Sequence, residues 1–186
     1  MEYGSRIRRM DVMILDPDIV SRGNLGALIR DFGCYNVRPF DNVEMAIVSI
    51  ISKPPSIVLC SFDEDKEFAT TILEHIRRHN IDTIAQTPIV LVSKNLDTLT
   101  MSKGVQIGAT QFLASPVVPA ELIKKLVFVL KDNREMVRLD GRLTYVAVLK
   151  KIQKPTAPKV QIVEFTAETP VQRKVKIEDD DDILEL

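Results

Sequence analysis

Along residues 11–132 the apolar positions come in two textures, short unbroken blocks and longer stretches in which they recur every three or four residues. Val12–Leu15, Ile57–Cys60 and Ile89–Val92 are apolar at every position, as befits strands covered on both faces. Asn36–Phe40 and Gln111–Ala114 read as two further strands. Between them the period changes to that of a helix. Leu25, Leu28, Ile29 and Phe32 form one stripe, closed by Gly33. Val43, Ala46, Ile47, Ile50 and Ile51 form another, with Asp41 and Glu44 as its start signal. Phe68, Ile72 and Ile76 mark a third, and Leu122, Leu126 and Val129 a last one after Pro119. Thr98–Ile107 is the poorest helix, because its threonines and Gly104 lower propensity, so tertiary contacts must hold it.

Five strands alternating with five helices predict an α/β fold, a parallel sheet with helices on both faces. Composition narrows the rest. With 45% apolar and 27% charged residues, 7 Gly and 10 Pro, the chain is neither collagen-like nor wholly disordered. A net charge of −1 argues against a protein that coats nucleic acid. Two cysteines, Cys34 and Cys60, cannot build a disulfide scaffold and fit a reducing compartment. No apolar run follows Arg6-Ile7-Arg8-Arg9, and no stretch approaches the ~18 residues of a membrane span. The expectation is a cytoplasmic protein without membrane insertion.

The near-neutral total conceals segregation. Residues 11–132 carry a net −3, residues 133–177 a net +6 and residues 178–186 a net −6. This divides the chain into a body over 10–132, a helical or irregular extension over 133–150 and a flexible charged tail over 151–186. Lys151–Lys159 reads as a linker with Pro155 and Pro158. Val160–Phe165 has strand propensity. The end, Ile177 to Leu186, is either a docking motif or a solubilising segment.

In an open α/β sheet, chemistry belongs at the carboxyl ends of the strands. Here those ends read Asp16-Pro17-Asp18, Ser61-Phe62-Asp63-Glu64-Asp65, Ser93-Lys94-Asn95 and Ser115-Pro116. Together with the blocks 55–61, 87–93 and 108–116, they make residues 10–132 resemble the receiver domain of bacterial response regulators. That resemblance implies a CheY-like, flavodoxin-like doubly wound sheet of order 2-1-3-4-5. It also implies a phosphoryl-accepting Asp after the third strand, Mg²⁺ held by acids after the first, and a Lys after the fifth.

The sequence departs from this pattern where the chemistry lies. The phosphoacceptor position is Ser61, the lysine position Ser115, and the second acid of the metal pair is Pro17. Asp16 matches the first acid, Ser93 the fourth-strand hydroxyl, Phe112 the switch aromatic, and Pro116 the proline that follows a cis peptide. An aspartyl phosphate needs a carboxylate nucleophile, and an unactivated serine hydroxyl does not replace it. Asp16 alone is a poor Mg²⁺ site, so no cofactor is expected. Without the lysine, nothing neutralises a transferring phosphoryl group.

The expected function is therefore a phosphorylation-independent pseudo-receiver, not an enzyme, acting through protein contacts. Its candidate surfaces are Ser21–Arg30 and a face carrying Met101, Lys103, Gln111, Lys124 and Lys125. The resemblance implies protein partners such as a histidine kinase, and also pairing with a second copy; no nucleic acid is expected. Two alternatives stand beside it: phosphoryl transfer to Asp63, and a small-molecule sensor at the strand-end crevice. Smaller features have plain readings. Asp63–Asp65 is a solvated acidic loop and Asp18 a helix cap. His75 and His79 are exposed on the third helix, without a third zinc ligand, and Cys60 packs as a small apolar group.

Overall fold

The computed structural model describes residues 4–63 and 66–146. Helix α1 (Gly4–Arg8) leads into β1 (Asp11–Leu15), α2 (Ile19–Asp31), β2 (Asn36–Phe40), α3 (Val43–Ser52) and β3 (Ile57–Ser61). There follow α4 (Lys66–Arg78), α5 (Asp82–Ala85), β4 (Ile89–Ser93), α6 (Thr98–Gln106), β5 (Gln111–Ala114) and α7 (Pro119–Lys131). A last pair, β6 (Met136–Leu139) and β7 (Arg142–Tyr145), completes the described chain. The first five strands form one parallel sheet in the order β2-β1-β3-β4-β5, as expected.

Alternate residues of each apolar strand enter opposite cores. Met13, Leu15, Val58, Cys60, Ile89 and Leu91 pack with Ala46 and Ile50 of α3 and Ala69, Ile72, Leu73 and Ile76 of α4. Val12, Ile14, Ile57, Leu59, Val90 and Val92 pack on the other face with Leu25 and Ile29 of α2, Leu122 and Leu126 of α7, and Ile7 of α1. β2 lies at the sheet edge, where Pro39 removes no ladder bond from a central strand. Helix starts follow local chemistry: Asp18 caps α2 by accepting from Ser21 N at 2.6 Å, and Asp97 caps α6 by accepting from Thr100 N at 2.6 Å. At α3 the cap is Asn42, accepting from Met45 N at 3.0 Å, and not the Asp41–Glu44 signal.

Two boundaries move. Ile7 and Met10 are buried, so the body begins at α1 rather than near residue 10. The larger correction concerns 133–150, expected to be helical or irregular. Residues 136–145 form an antiparallel hairpin that pairs Met136 with Tyr145 and Leu139 with Arg142. Asp140 and Gly141, at φ 49° and 76°, make its turn. An Asp-Gly pair between alternating runs is a strong hairpin signal, and both left-handed positions suit the twist of the paired strands. The expectations for residues 147–186 lie outside the described residues.

The hairpin covers the amino end of the sheet. Leu143 and Tyr145 are buried. The Tyr145 hydroxyl donates to Thr110 Oγ1 at 3.0 Å, and Thr110 Oγ1 also accepts from Ile89 N at 2.9 Å. Arg134 stacks over Phe128 and Tyr145, 5.0 and 4.3 Å from the ring centroids, and donates to Thr110 O at 3.0 Å. Nearby, the fully buried Arg77 donates from Nε to Gly108 O at 3.0 Å. Its Nη1 donates to Ala85 O at 2.7 Å and Thr87 O at 2.8 Å. Gly108 leaves room for this, with φ 96° and a backbone against which a Cβ would meet Arg77 Cγ at 3.1 Å. Burial lowers the Arg77 guanidinium to about 10, Tyr145 opposing and Arg142 adding to the shift, so it stays a cation at neutral pH.

The hairpin is thus part of the folded body. A chain ending at Asp132 is expected to lose about 2–4 kcal/mol in urea unfolding, from two buried side chains less the ordering entropy. Tyr145→Phe in the full chain should lose about 1 kcal/mol, the worth of one hydrogen bond.

Candidate functional site

The carboxyl ends of β1, β3, β4 and β5 open into one cavity of about 680 Å³. It gathers Asp16, Pro17, Ser61, Asp63 and Ser115, residues spread over a hundred positions of sequence, and adds Lys94. Ser93 and Phe112 are not among its lining residues.

Asp16 follows β1 and is only 6% exposed. Its Oδ2 accepts from Ser21 Oγ at 2.6 Å and its Oδ1 from Asp18 N at 2.9 Å. Both carboxylate oxygens are therefore engaged in orienting the start of α2. Pro17 offers no side-chain ligand, and its carbonyl accepts from Arg22 Nη1 at 3.3 Å. Ser61 and Ser115 sit half-buried at the strand ends with short hydroxyl side chains. The Ser115–Pro116 peptide is cis, as the resemblance implies. Below Ser61, burial pushes the Cys60 thiol up, reinforced by the charge of Asp16, and Cys60 packs in the core as expected.

Of the acidic segment after β3, Glu64 and Asp65 lie outside the described residues, and Asp63 is not a free solvated acid. Asp63 Oδ1 accepts from Ser93 Oγ at 3.0 Å and from Lys94 N at 2.7 Å. Ser93 is 2% exposed, and its hydroxyl also lies 3.1 Å from Asn95 O. One hydroxyl has one proton, and the ionised acceptor makes the stronger bond. A carboxylate thus bridges β3 to the fourth-strand hydroxyl. Nothing in the local sequence reveals this, since Asp63 and Ser93 meet only because β3 and β4 are neighbours.

The donor set does not fit the Mg²⁺ that the resemblance implies. At the positions the resemblance assigns to the metal, Asp16 has both carboxylate oxygens hydrogen-bonded and Pro17 and Ser61 bring no carboxylate, while Asp18 caps α2 and Asp63 bonds Ser93 and Lys94. Among the described residues no cluster of three His, Cys, Asp or Glu could hold a metal. Of the histidine pair, His75 lies in the last turn of α4, which ends at Arg78, and His79, just beyond it, accepts from Ile81 N on Nδ1 at 3.1 Å.

Away from the cavity, the face of α6, β5 and α7 is held from within. Phe112 is half-buried over Gly104, where a Cβ would run into the ring and press on Leu91 Cδ1 at 2.9 Å. Gly104, a weak point for helix propensity, is required by this packing. On the same face Lys125 Nζ donates to Gln111 Oε1 at 3.0 Å, and Lys124 pairs with Glu121 at 2.7 Å. Lys124 holds the Glu121 carboxyl below the usual carboxylate range. Met101 and Lys103 stand exposed on α6.

The sequence model described as the response regulator receiver domain matches residues 12–127. A curated relative, the regulator of RpoS from Escherichia coli K12, is 23% identical over 117 residues, 63% of this chain. The match spans 33% of that protein's length, about a third. The chemotaxis protein CheY4 of Vibrio cholerae superposes with a TM-score of 0.57 at 20% identity, over 63% of this chain and 96% of that one. A response regulator from Desulfuromonas acetoxidans gives 0.56 at 16% identity, over 64% and 95%.

The bridge between Asp63 and Ser93 has a measurable consequence. Asp63→Ala should cost about 1.5–3 kcal/mol in urea unfolding, the worth of hydrogen bonds to a charged acceptor. The Lys94 amide should lose hydrogen-exchange protection in the same variant, while amides of β1 keep theirs.

Proposed function

The chain belongs to the response regulator receiver family, and within it we propose a phosphorylation-independent pseudo-receiver, a non-enzymatic module that works by binding another protein. The observation that carries this reading is the engaged Ser93 hydroxyl, bonded to the carboxylate of Asp63 at 3.0 Å. In a receiver with a working acceptor, the fourth-strand hydroxyl answers the arriving phosphoryl group. Here a resident carboxylate occupies it, while Ser61 and Ser115 supply neither the nucleophile nor the cation that the transfer needs.

The binding surface is the α6–β5–α7 face, with Met101, Lys103, Gln111, Lys124 and Lys125 as its contact residues. Its shape is supported by the Phe112 ring over Gly104 and by the Lys125–Gln111 bond. Ser21–Arg30 on α2 is the second surface, and exposed apolar side chains at the start of that helix, Ile19 at 73% and Val20 at 65%, extend it. The partner is a signalling protein of the cytoplasm, such as a histidine kinase, or a second copy of the chain. No helix of the described residues is long and apolar enough to cross a membrane.

Phosphoryl acceptance by Asp63 is the second reading, favoured only by the position of its carboxylate in the cavity. It would require breaking two hydrogen bonds to Oδ1 or using Oδ2, with Ser115 at the position where the family carries its lysine.

Acetyl phosphate with Mg²⁺ should add no phosphoryl mass to the intact protein, and beryllofluoride should leave the Ser61 and Ser93 amide resonances in place. An acid-labile adduct on Asp63 would sink the proposal. Partner capture from cytoplasmic extract should be indifferent to phosphoryl donors and fall about tenfold, or ~1.4 kcal/mol, with Met101→Asp or Lys125→Glu.

A further inference from the structure

We infer that the strand-end cavity is a binding site for a small organic cation, an ammonium group carried on an apolar body. The inference goes beyond the protein-contact reading and does not rest on it, since a ligand can occupy the cavity whether or not a protein docks on another face.

Size is the first consideration. About 680 Å³ lies within the usual ~300–1,000 Å³ of small-molecule sites. The second is charge. Of the described lining residues, Asp16, Asp18 and Asp63 are acidic, and Lys94, exposed, is the one base. Neither Asp16 nor Asp63 takes part in an ion pair among the described residues. Asp16 is buried, and both donors to its carboxylate, Ser21 Oγ and Asp18 N, are neutral; the Arg22 guanidinium bonds the Asp16 backbone carbonyl and pairs with Asp41. Ser115 stands where a lysine would otherwise answer these carboxylates. Three carboxylates against one lysine leave the described lining net negative, which favours a cation over phosphate or carboxylate ligands.

The walls decide which cation. Leu25, Leu28, Phe68, Val92 and Val117 line the cavity with apolar carbon. A hydrated divalent ion gains nothing from such walls and finds too few free oxygens, whereas an alkyl or aryl amine uses both features. Asp63 accepts Ser93 and Lys94 through Oδ1, which leaves Oδ2 for the ammonium. Ser61 and Ser115, on the cavity lining, add hydroxyl acceptors.

Phenethylammonium, tryptammonium and octylammonium would be titrated into the full chain, with phenylpropionate, indole-3-propionate, octanoate and MgCl₂ as matched probes, following amide resonances and heat. At least one ammonium probe should saturate at sub-millimolar concentration, move the Ser61, Ser93 and Lys94 amides, and weaken with added salt. Asp63→Asn should weaken it about tenfold, and Ser115→Lys should abolish it by placing a cation in the cavity. Ser115→Ala, which removes one hydroxyl acceptor without adding charge, should weaken binding no more than about threefold, so abolition in Ser115→Lys reports the added cation. Equal binding of the carboxylates, shifts elsewhere on the surface, a response to MgCl₂ alone, or silence of all three amines to several millimolar would each overturn the inference. None of these results bears on phosphoryl labelling or partner capture, so the two readings fail separately.

Discussion

The three central strands have no face toward water. Val12 to Leu15, Ile57 to Cys60 and Ile89 to Val92 are enclosed between helices on both sides of the sheet. Within such a strand an unpaired polar side chain would lose its hydration without a partner. Polar chemistry is therefore confined to the two ends of the sheet, and the molecule carries a different polar assembly at each.

At the carboxyl end, side chains that meet water also meet one another. Asp16 orders the entry to α2 through Ser21 and the Asp18 amide, and Asp63 bridges to Ser93 and Lys94. Both carboxylates are held by neutral donors, in a crevice whose serines are too short to fill it.

At the amino end, the assembly is structural. Arg77 pairs with no carboxylate among the described residues, and three backbone carbonyls from the segments before β4 and β5 hold it in the interior. A buried guanidinium without an anion tolerates this only where carbonyl dipoles converge on it. The β6–β7 hairpin closes over the region through Tyr145 and Arg134, both bonded to Thr110. What reads by charge as the beginning of a basic extension is in part the floor of the domain.

The sequence by itself determined the sheet and its flanking helices, because continuous apolar blocks and helical periodicity are properties of neighbouring residues. The expectation that Ser61, Ser115 and Pro17 stand where a phosphoryl site carries its acceptor, lysine and second acid also came from residue type alone. The Asp140–Gly141 hairpin was written there too, in a turn pair overshadowed by the uneven period around Leu143. Only the tertiary structure decided that Asp63 is a bridge and not a solvated acid, that Gly104 makes room for Phe112, and that Arg77 is buried against backbone carbonyls. Each of these joins residues separated by 8 to 31 positions, through strand order or helix packing. Local pattern reports which face a residue takes; which groups converge on it depends on how those faces are stacked.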